Sequence, residues 1–164
     1  MKIPILSDSH DDKSTTIKIL ELLKQKGHKE LIFLGDFCAP FMIDLFKDFE
    51  VYTCLGNNDG DLFNIMSKMK EYDFEVDNQL LEIKKESLLI ALYHGTNQKV
   101  LEAIINSKTY DIVLHGHTHQ IRQETKGKTL ILNPGTINKD LSQENISSYM
   151  ILDLKTQEVE IVKN

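Results

Sequence analysis

The chain has 164 residues, 41% hydrophobic and 27% charged, which is enough apolar content for a packed core and argues against disorder. With 19 Lys and Arg against 25 Asp and Glu, the net charge of −6 speaks against a broad basic surface for a nucleic-acid backbone, but leaves small phosphate compounds open because bound cations can supply local positive charge. The two cysteines, Cys38 and Cys54, form neither a zinc-type CxxC pair nor a disulfide framework, and no apolar run approaches the ~20 residues of a membrane span, so a reduced, cytoplasmic setting is expected.

In chain order, residues 3–6 predict a buried strand. Pro4 inside it cannot donate to a ladder, so it must lie at the strand's start or on an unpaired side. Ile17, Leu20 and Leu23 fall at helical spacing and predict a helix over 14–26, stopped by Gly27. A strand over 31–34, a short helix over 40–49, a strand over 51–55 and a helix over 61–70 follow. Residues 80–83 and 88–93 read as strands joined by the polar turn 84–87, residues 100–107 as a helix, and 112–114 as a strand. The tail reads as strands over 129–132, 149–154 and 158–162. No linker, repeat or low-complexity stretch divides the chain, so a single α/β domain over 1–164, with sheets layered against helices, is expected.

Five of the six histidines, all but His28, follow predicted strands or strand-like runs, where open α/β sheets place their ligands. Asp8 and His10 follow the first strand, and in an extended chain residues two apart share a side. Asp8 alone also reads as a helix cap. Gly35-Asp36 follows the second strand; its carboxylate has two oxygens and could bridge two cations, or the pair is a plain turn. Gly56-Asn57-Asn58-Asp59-Gly60 after the third strand is turn chemistry in which Asn57 could offer a carbonyl oxygen. His94 follows the strand over 88–93. His115-Gly116-His117-Thr118-His119 sets three histidines in alternation; clustered imidazoles repel when protonated, so a metal accounts for them better than an exposed loop does. Asp8, His10, Asp36, Asn57, His94, His117 and His119 make seven oxygen and nitrogen ligands without sulfur, more than one tetrahedral zinc needs. Two ions sharing Asp36 would use them all.

The blocks Asp8-Ser9-His10, Gly35-Asp36, Gly56-Asn57-Asn58-Asp59, His94 and Gly116-His117-Thr118-His119 resemble, in that order, the D-x-H, G-D, G-N-H-D/E, H and G-H-x-H pattern of the calcineurin-like metallophosphoesterase superfamily. The likeness is greatest to its small single-domain phosphodiesterase branch, to which the scaffold subunit of retromer is related. The resemblance implies a four-layer α/β sandwich with two β-sheets flanked by helices. It implies one divalent ion on Asp8, His10, Asp36 and His119 and a second on Asp36, Asn57, His94 and His117, with Mn ahead of Ni, Zn, Fe or Mg. A metal-bridging hydroxide would then attack a small phosphate ester, with diesters favoured over monoesters. Asp36, Asn58 and Asp59 are the candidate catalytic positions, and Asn133-Pro134-Gly135-Thr136 resembles the family's Asn-Pro-Gly-Ser segment. Asn58 stands where the family pattern has a histidine, which removes a candidate proton donor.

Two other classes compete. A non-catalytic scaffold would keep the metal site as a relic and carry an exposed apolar patch away from the strand ends. A metallo-β-lactamase-like hydrolase needs H-x-H-x-D-H, and Gln120-Ile121 after His119 breaks that pattern. No membrane partner and no strong nucleic-acid partner is expected; a homo-oligomer is compatible with the sequence.

Overall fold

In the computed structural model, which describes residues 1–164, β1 (Lys2–Leu6) leads to α1 (Lys13–Gln25), β2 (Glu30–Phe33), α2 (Pro40–Ile43), β3 (Glu50–Cys54), α3 (Leu62–Glu71) and β4 (Glu75–Asp77). Then come β5 (Leu80–Lys85), β6 (Leu88–Tyr93), α4 (Gln98–Asn106), β7 (Ile112–Leu114), β8 (Ile121–Lys126), β9 (Thr129–Pro134), β10 (Ser148–Asp153) and β11 (Val159–Lys163). One sheet has the order β11-β10-β1-β2-β3-β4 and the other β5-β6-β7-β9-β8. The strands β1 to β4 run parallel, as do β6, β7 and β9.

Alternation along the strands sorts the apolar side chains into layers. In β2 and just beyond it, Leu31 and Phe33 pack toward the helices, with Ile19, Leu20 and Leu23 of α1 and Ile65 and Met69 of α3. Ile32 and Leu34 turn the other way and meet Ile90, Leu92, Ile112, Leu114 and Leu132 of the second sheet. Ala91, Val113 and Ile131 on that sheet's far face pack against Leu101 and Ile105 of α4. The result is helix, sheet, sheet, helix: the four-layer sandwich that the resemblance implied.

Pro4 lies inside β1 after all, opposite Ile151 of β10. Leu154 N–H donates to Met1 O on that same ladder, and antiparallel bonding alternates, so the Pro4 nitrogen turns toward β2. The β1–β2 register begins only at Ile5, so no ladder bond is lost. The expected helix over 40–49 is shorter: α2 covers four residues and a 3₁₀ turn continues over Asp44–Phe46. Two strands escaped the pattern. β8 is an edge strand of mostly exposed polar residues and β4 an edge strand of only three residues, so neither has the apolar run that marks buried ones.

Candidate metal centre

The carboxyl ends of β1, β2, β3, β6 and β7 share one rim, and each is followed by a loop carrying candidate ligands. Asp8 and His10 do not converge because their backbone is extended. Asp8 (φ 57°), His10 (41°), Asp36 (62°), His117 (67°) and His119 (57°) all adopt the left-handed region, which Asp, Asn and His tolerate better than most residues. The helix cap after the first loop is Asp12, which accepts from Thr15 N–H at 3.0 Å, so Asp8 is free of that task. Gly35 (φ 89°) is required twice over, because a Cβ there would come within 2.6 Å of Gly56 N and 2.9 Å of His94 Nδ1.

Asp8, Asp36 and His94 are fully buried at the centre of this rim. Asp8 Oδ2 accepts from the Ser7 hydroxyl and from His117 N–H at 3.1 Å. Its Oδ1 lies 3.3 Å from His119 Nε2, 3.7 Å from His10 Nε2 and 3.9 Å from His94 Nε2. Asp36 Oδ2 is 3.3 Å from both His10 Nε2 and His94 Nε2. The Nδ1 atom of His94 donates to Leu34 O at 2.6 Å, which orients the ring and turns Nε2 toward the two carboxylates. On His10, Nδ1 meets the Cys38 thiol at 3.5 Å.

These charges reshape one another. Burial pushes the Asp8 carboxyl up, but His10, His119 and His94 outweigh it and hold it below the usual range. Asp36 is lowered in the same way by His10 and His94. Asp36 and then Asp8 push the His10 imidazole up to about 12. Burial pulls His94 down, but Asp36 and Asp8 prevail and raise it. His117, less buried, is lowered by burial and by His94.

The donor set fits divalent cations. Four buried side-chain polar atoms have no hydrogen-bond partner, and three of them, Asp8 Oδ1, His10 Nε2 and His94 Nε2, converge here; the fourth is the Tyr149 hydroxyl on β10. Such orphans are costly unless something satisfies them. Two sets of ligand atoms lie within 4.8 Å of one another, Asp8 with His10 and His119, and Asp8 with Asp36 and His94. Imidazole nitrogen with carboxylate oxygen suits Zn, Mn, Fe or Ni.

The remaining candidates lie around this cluster. The His117 ring meets that of His94 edge-on at 5.3 Å. The Asn57 side chain is exposed and accepts from Thr96 Oγ1 at 3.3 Å. Asn58 donates to Asp36 twice, from its backbone N–H to Oδ1 and from its amide to Oδ2, both at 2.8 Å. Asp59 is spent on the backbone: its carboxylate accepts from Gly56 N–H at 2.7 Å, Cys38 N–H at 2.9 Å and Asp36 N–H at 3.2 Å, tying the second and third loops together. His115, part of the histidine run, turns away. Burial holds it near 4 and therefore neutral, and its Nε2 accepts from Arg122 at 3.3 Å.

Ser7 was not singled out in the sequence as a support, whereas Asn133 and Thr136 belong to the segment that the resemblance marked. Ser7 holds Asp8, and a Cβ on Gly116 would collide with both. Asn133 donates to Gly116 O at 2.8 Å and Thr118 Oγ1 at 3.0 Å, bracing the histidine loop. Thr136 Oγ1 donates to Asp8 O at 2.7 Å, which puts the Asn-Pro-Gly-Thr segment against the centre.

Known proteins bear on this geometry. The model of the calcineurin-like phosphoesterase superfamily domain matches residues 1–157. A phosphodiesterase of Methanocaldococcus jannaschii is 32% identical over 161 residues, covering 96% of each chain. Phosphodiesterase YfcE of Escherichia coli is 25% identical over 165 residues, covering 93% of this chain and 88% of the relative. Among solved structures, an archaeal phosphodiesterase matches with a TM-score of 0.90 at 30% identity over the whole of both chains. Vacuolar Protein Sorting 29 from Cryptosporidium parvum matches at 0.74 and 21% identity, covering 99% of this chain and 96% of its own, a likeness of fold.

Proposed function

Since the chain belongs to the calcineurin-like phosphoesterase superfamily, we propose that it is a metal-dependent phosphoesterase that hydrolyses phosphodiesters at a dinuclear centre, in one domain over residues 1–164. The observation that carries this reading is the convergence of Asp8 and Asp36 with the unsatisfied Nε2 atoms of His10 and His94. Asp36 Oδ2 is 3.3 Å from both imidazoles, so Asp36 would be shared by the two sites: Asp8, His10, Asp36 and His119 would hold one ion and Asp36, Asn57, His94 and His117 the other. Mn is the favoured metal over Ni, Zn, Fe or Mg, and a small phosphate ester met in the cytoplasm is the substrate.

Two divalent ions held there would supply the Lewis acidity that makes a water nucleophilic near neutral pH and would offset the charge on the phosphoryl oxygens. The chain's own groups do the positioning. Leu34 O fixes the His94 ring, Ser7 and His117 N–H orient Asp8, and Asn58 steadies Asp36. Asp59, with both oxygens committed to backbone N–H groups, is a positioning residue. The Asn58 amide donates hydrogen bonds but has no titrating proton near neutrality, so departure of the alcohol rests on its own basicity.

The test is reconstitution with each metal, followed by assay of bis(4-nitrophenyl) phosphate against 4-nitrophenyl phosphate. The expected result is about two equivalents of Mn and a kcat/KM for the diester higher by about tenfold or more, a difference of ~1.4 kcal/mol. Inactivity on both esters with every metal would overturn the reading. A scaffold role is the second reading, favoured by one observation: Leu62 and Phe63 on α3 are 49% and 80% exposed beside Met66, Phe74 and Val76. It gains weight if the metal-loaded protein is inactive.

A further inference from the structure

A second concavity adjoins the cluster. A cavity of about 380 Å³ opens between the start of β8, the loop over residues 142–146 and the β11 residues Ile161 and Lys163; β8 and β11 are edge strands of the two different sheets. His119 is part of its wall, and the ring of the same residue presents Nε2 to Asp8 Oδ1 at 3.3 Å. One residue therefore borders both the cluster and the cavity. The loop is also tied to the centre. It belongs to the β9–β10 connection, whose first residues, Thr136 and Asn138, donate to Asp8 O at 2.7 Å and Ser9 O at 3.4 Å.

The lining has a definite chemistry. Ile121, Ile146 and Ile161 give it apolar faces, and Gln120 and Gln143 bring neutral amides that both donate and accept. The one lysine in the wall, Lys163, is held by Glu144 at 2.6 Å, so its charge is matched on the spot. A second anionic group would find no free lysine or arginine there and would meet the Glu144 carboxylate. An uncharged ring carrying a few heteroatoms would lie against the isoleucines and exchange hydrogen bonds with the amides. The volume lies within the ~300–1,000 Å³ usual for small-molecule sites, larger than a bare phosphate or a methyl ester requires.

We propose that this cavity is the subsite for the organic group of the substrate, an uncharged, ring-bearing alcohol of nucleoside size, esterified to the phosphate that the metal cluster engages. The inference rests on the phosphoesterase reading above. The subsite makes the enzyme selective among diesters: the phosphate is common to all of them, and the group lodged beside His119 distinguishes them.

The experiment uses two diesters with the same leaving group, thymidine 5′-(4-nitrophenyl phosphate) and methyl 4-nitrophenyl phosphate, on the full Mn-loaded chain. The expected kcat/KM ratio favours the thymidine ester by about tenfold or more, the scale of a few good apolar and amide contacts. Ile146→Trp, which fills the cavity, should bring that ratio close to one, mainly through KM. Gln143→Ala, at an exposed loop position that folding tolerates, should lower it by about threefold to tenfold, one hydrogen bond's worth. If Ile146→Trp does not fold, Gln143→Ala alone decides between the outcomes. Hydrolysis of both esters at equal kcat/KM, or a parent ratio that neither variant moves, overturns the subsite and leaves the phosphoesterase reading standing. Hydrolysis of neither ester overturns both.

Discussion

The space between the two sheets and the rim above it are built from opposite materials. Between the sheets, Ile3, Ile5, Ile32, Leu92, Ile112 and their neighbours are buried in regular strands and carry no charge. On the rim, only a few residues further along the same chain segments, Asp8, Asp36 and His94 are just as buried but carry ionisable groups, and Asp8 Oδ1 and His94 Nε2 among them lack hydrogen bonds. The backbone differs too, since five of the seven candidate ligands sit at positive φ, a strain that an apolar core can absorb. One region supplies stability and the other draws on it. Substitutions should therefore separate: core changes should unfold the protein and spare the chemistry, and rim changes should do the reverse.

The largest effect expected is at Asp36. Asp36→Asn keeps the shape and removes the charge shared between His10 and His94. Turnover should fall about a thousandfold or more, on the scale of losing a preorganised electrostatic contact, with at least one ion lost and the fold retained by circular dichroism. Parental turnover in this variant would refute the bridging role. The counterpart is Leu92→Ala in the inter-sheet core, where Leu92 is fully buried. Its unfolding free energy should drop by about 2–5 kcal/mol, while activity per folded molecule stays within about threefold. If Leu92→Ala cost activity without stability, the division between the two regions would be false.

Metal and proton should compete on the rim, which sharpens the same division. In the metal-free chain, His10 is raised from 6.5 to about 12 by Asp36 and Asp8. A raised histidine contributes stability that is complete below its unfolded value near 6.5 and is lost as pH climbs through about 12. A cation replaces that proton, so its uptake should release protons, and its affinity should rise with pH. The difference in unfolding free energy between Mn-loaded and chelator-treated protein should widen from about pH 6 to about pH 9, reaching the ~2.7 kcal/mol expected when metal stands at a hundred times its Kd, with the melting temperatures moving apart accordingly. A difference that narrows over this range would contradict a proton-loaded cluster.

The contrast also explains what could be read in advance. The core was legible because Leu31 to Leu34, Leu88 to Leu92 and Ile112 to Leu114 form apolar runs of strand length, and buried strands look like that from sequence. The edge strand β8 was not, because Gln123, Glu124, Thr125 and Lys126 pair with β9 through backbone groups while their side chains face water. On the rim, residue types and their positions after strands were legible, and the structure brings Asp8, His10, Asp36, His94 and His119 together. The means of that convergence was hidden. Extended spacing was the expectation, and left-handed backbone is the fact, because tolerance of positive φ by Asp and His leaves no local pattern. Asp59 was expected as a catalytic position, and its tie to the backbone was hidden for another reason: its bonds to Asp36 and Cys38 span 23 and 21 residues, beyond any window of periodicity.

The last effect expected is a gain confined mainly to alkyl esters, at Asn58, and it probes how finely the rim is tuned. Both N–H groups of Asn58 that reach the centre are engaged by Asp36, so its amide steadies a carboxylate instead of serving a departing oxygen. The parent should then depend steeply on leaving-group basicity, aryl esters reacting readily and simple alkyl esters poorly. Asn58→His places an imidazole against the Asp36 carboxylate, and a neighbouring negative charge keeps an imidazole protonated at neutral pH. That proton can pass to a leaving alkoxide, so alkyl esters should gain more than aryl esters, within the ~10²–10⁴ reach of general-acid catalysis. The backbone N–H at this position still holds Asp36 Oδ1, so metal occupancy should change little. The measurement is a leaving-group series for parent and variant at fixed Mn and pH, with metal content assayed in parallel. A flatter slope in the variant supports proton donation at this position. Parallel slopes with equal metal content would mean that position 58 acts on Asp36 alone and that leaving-group protonation is governed elsewhere.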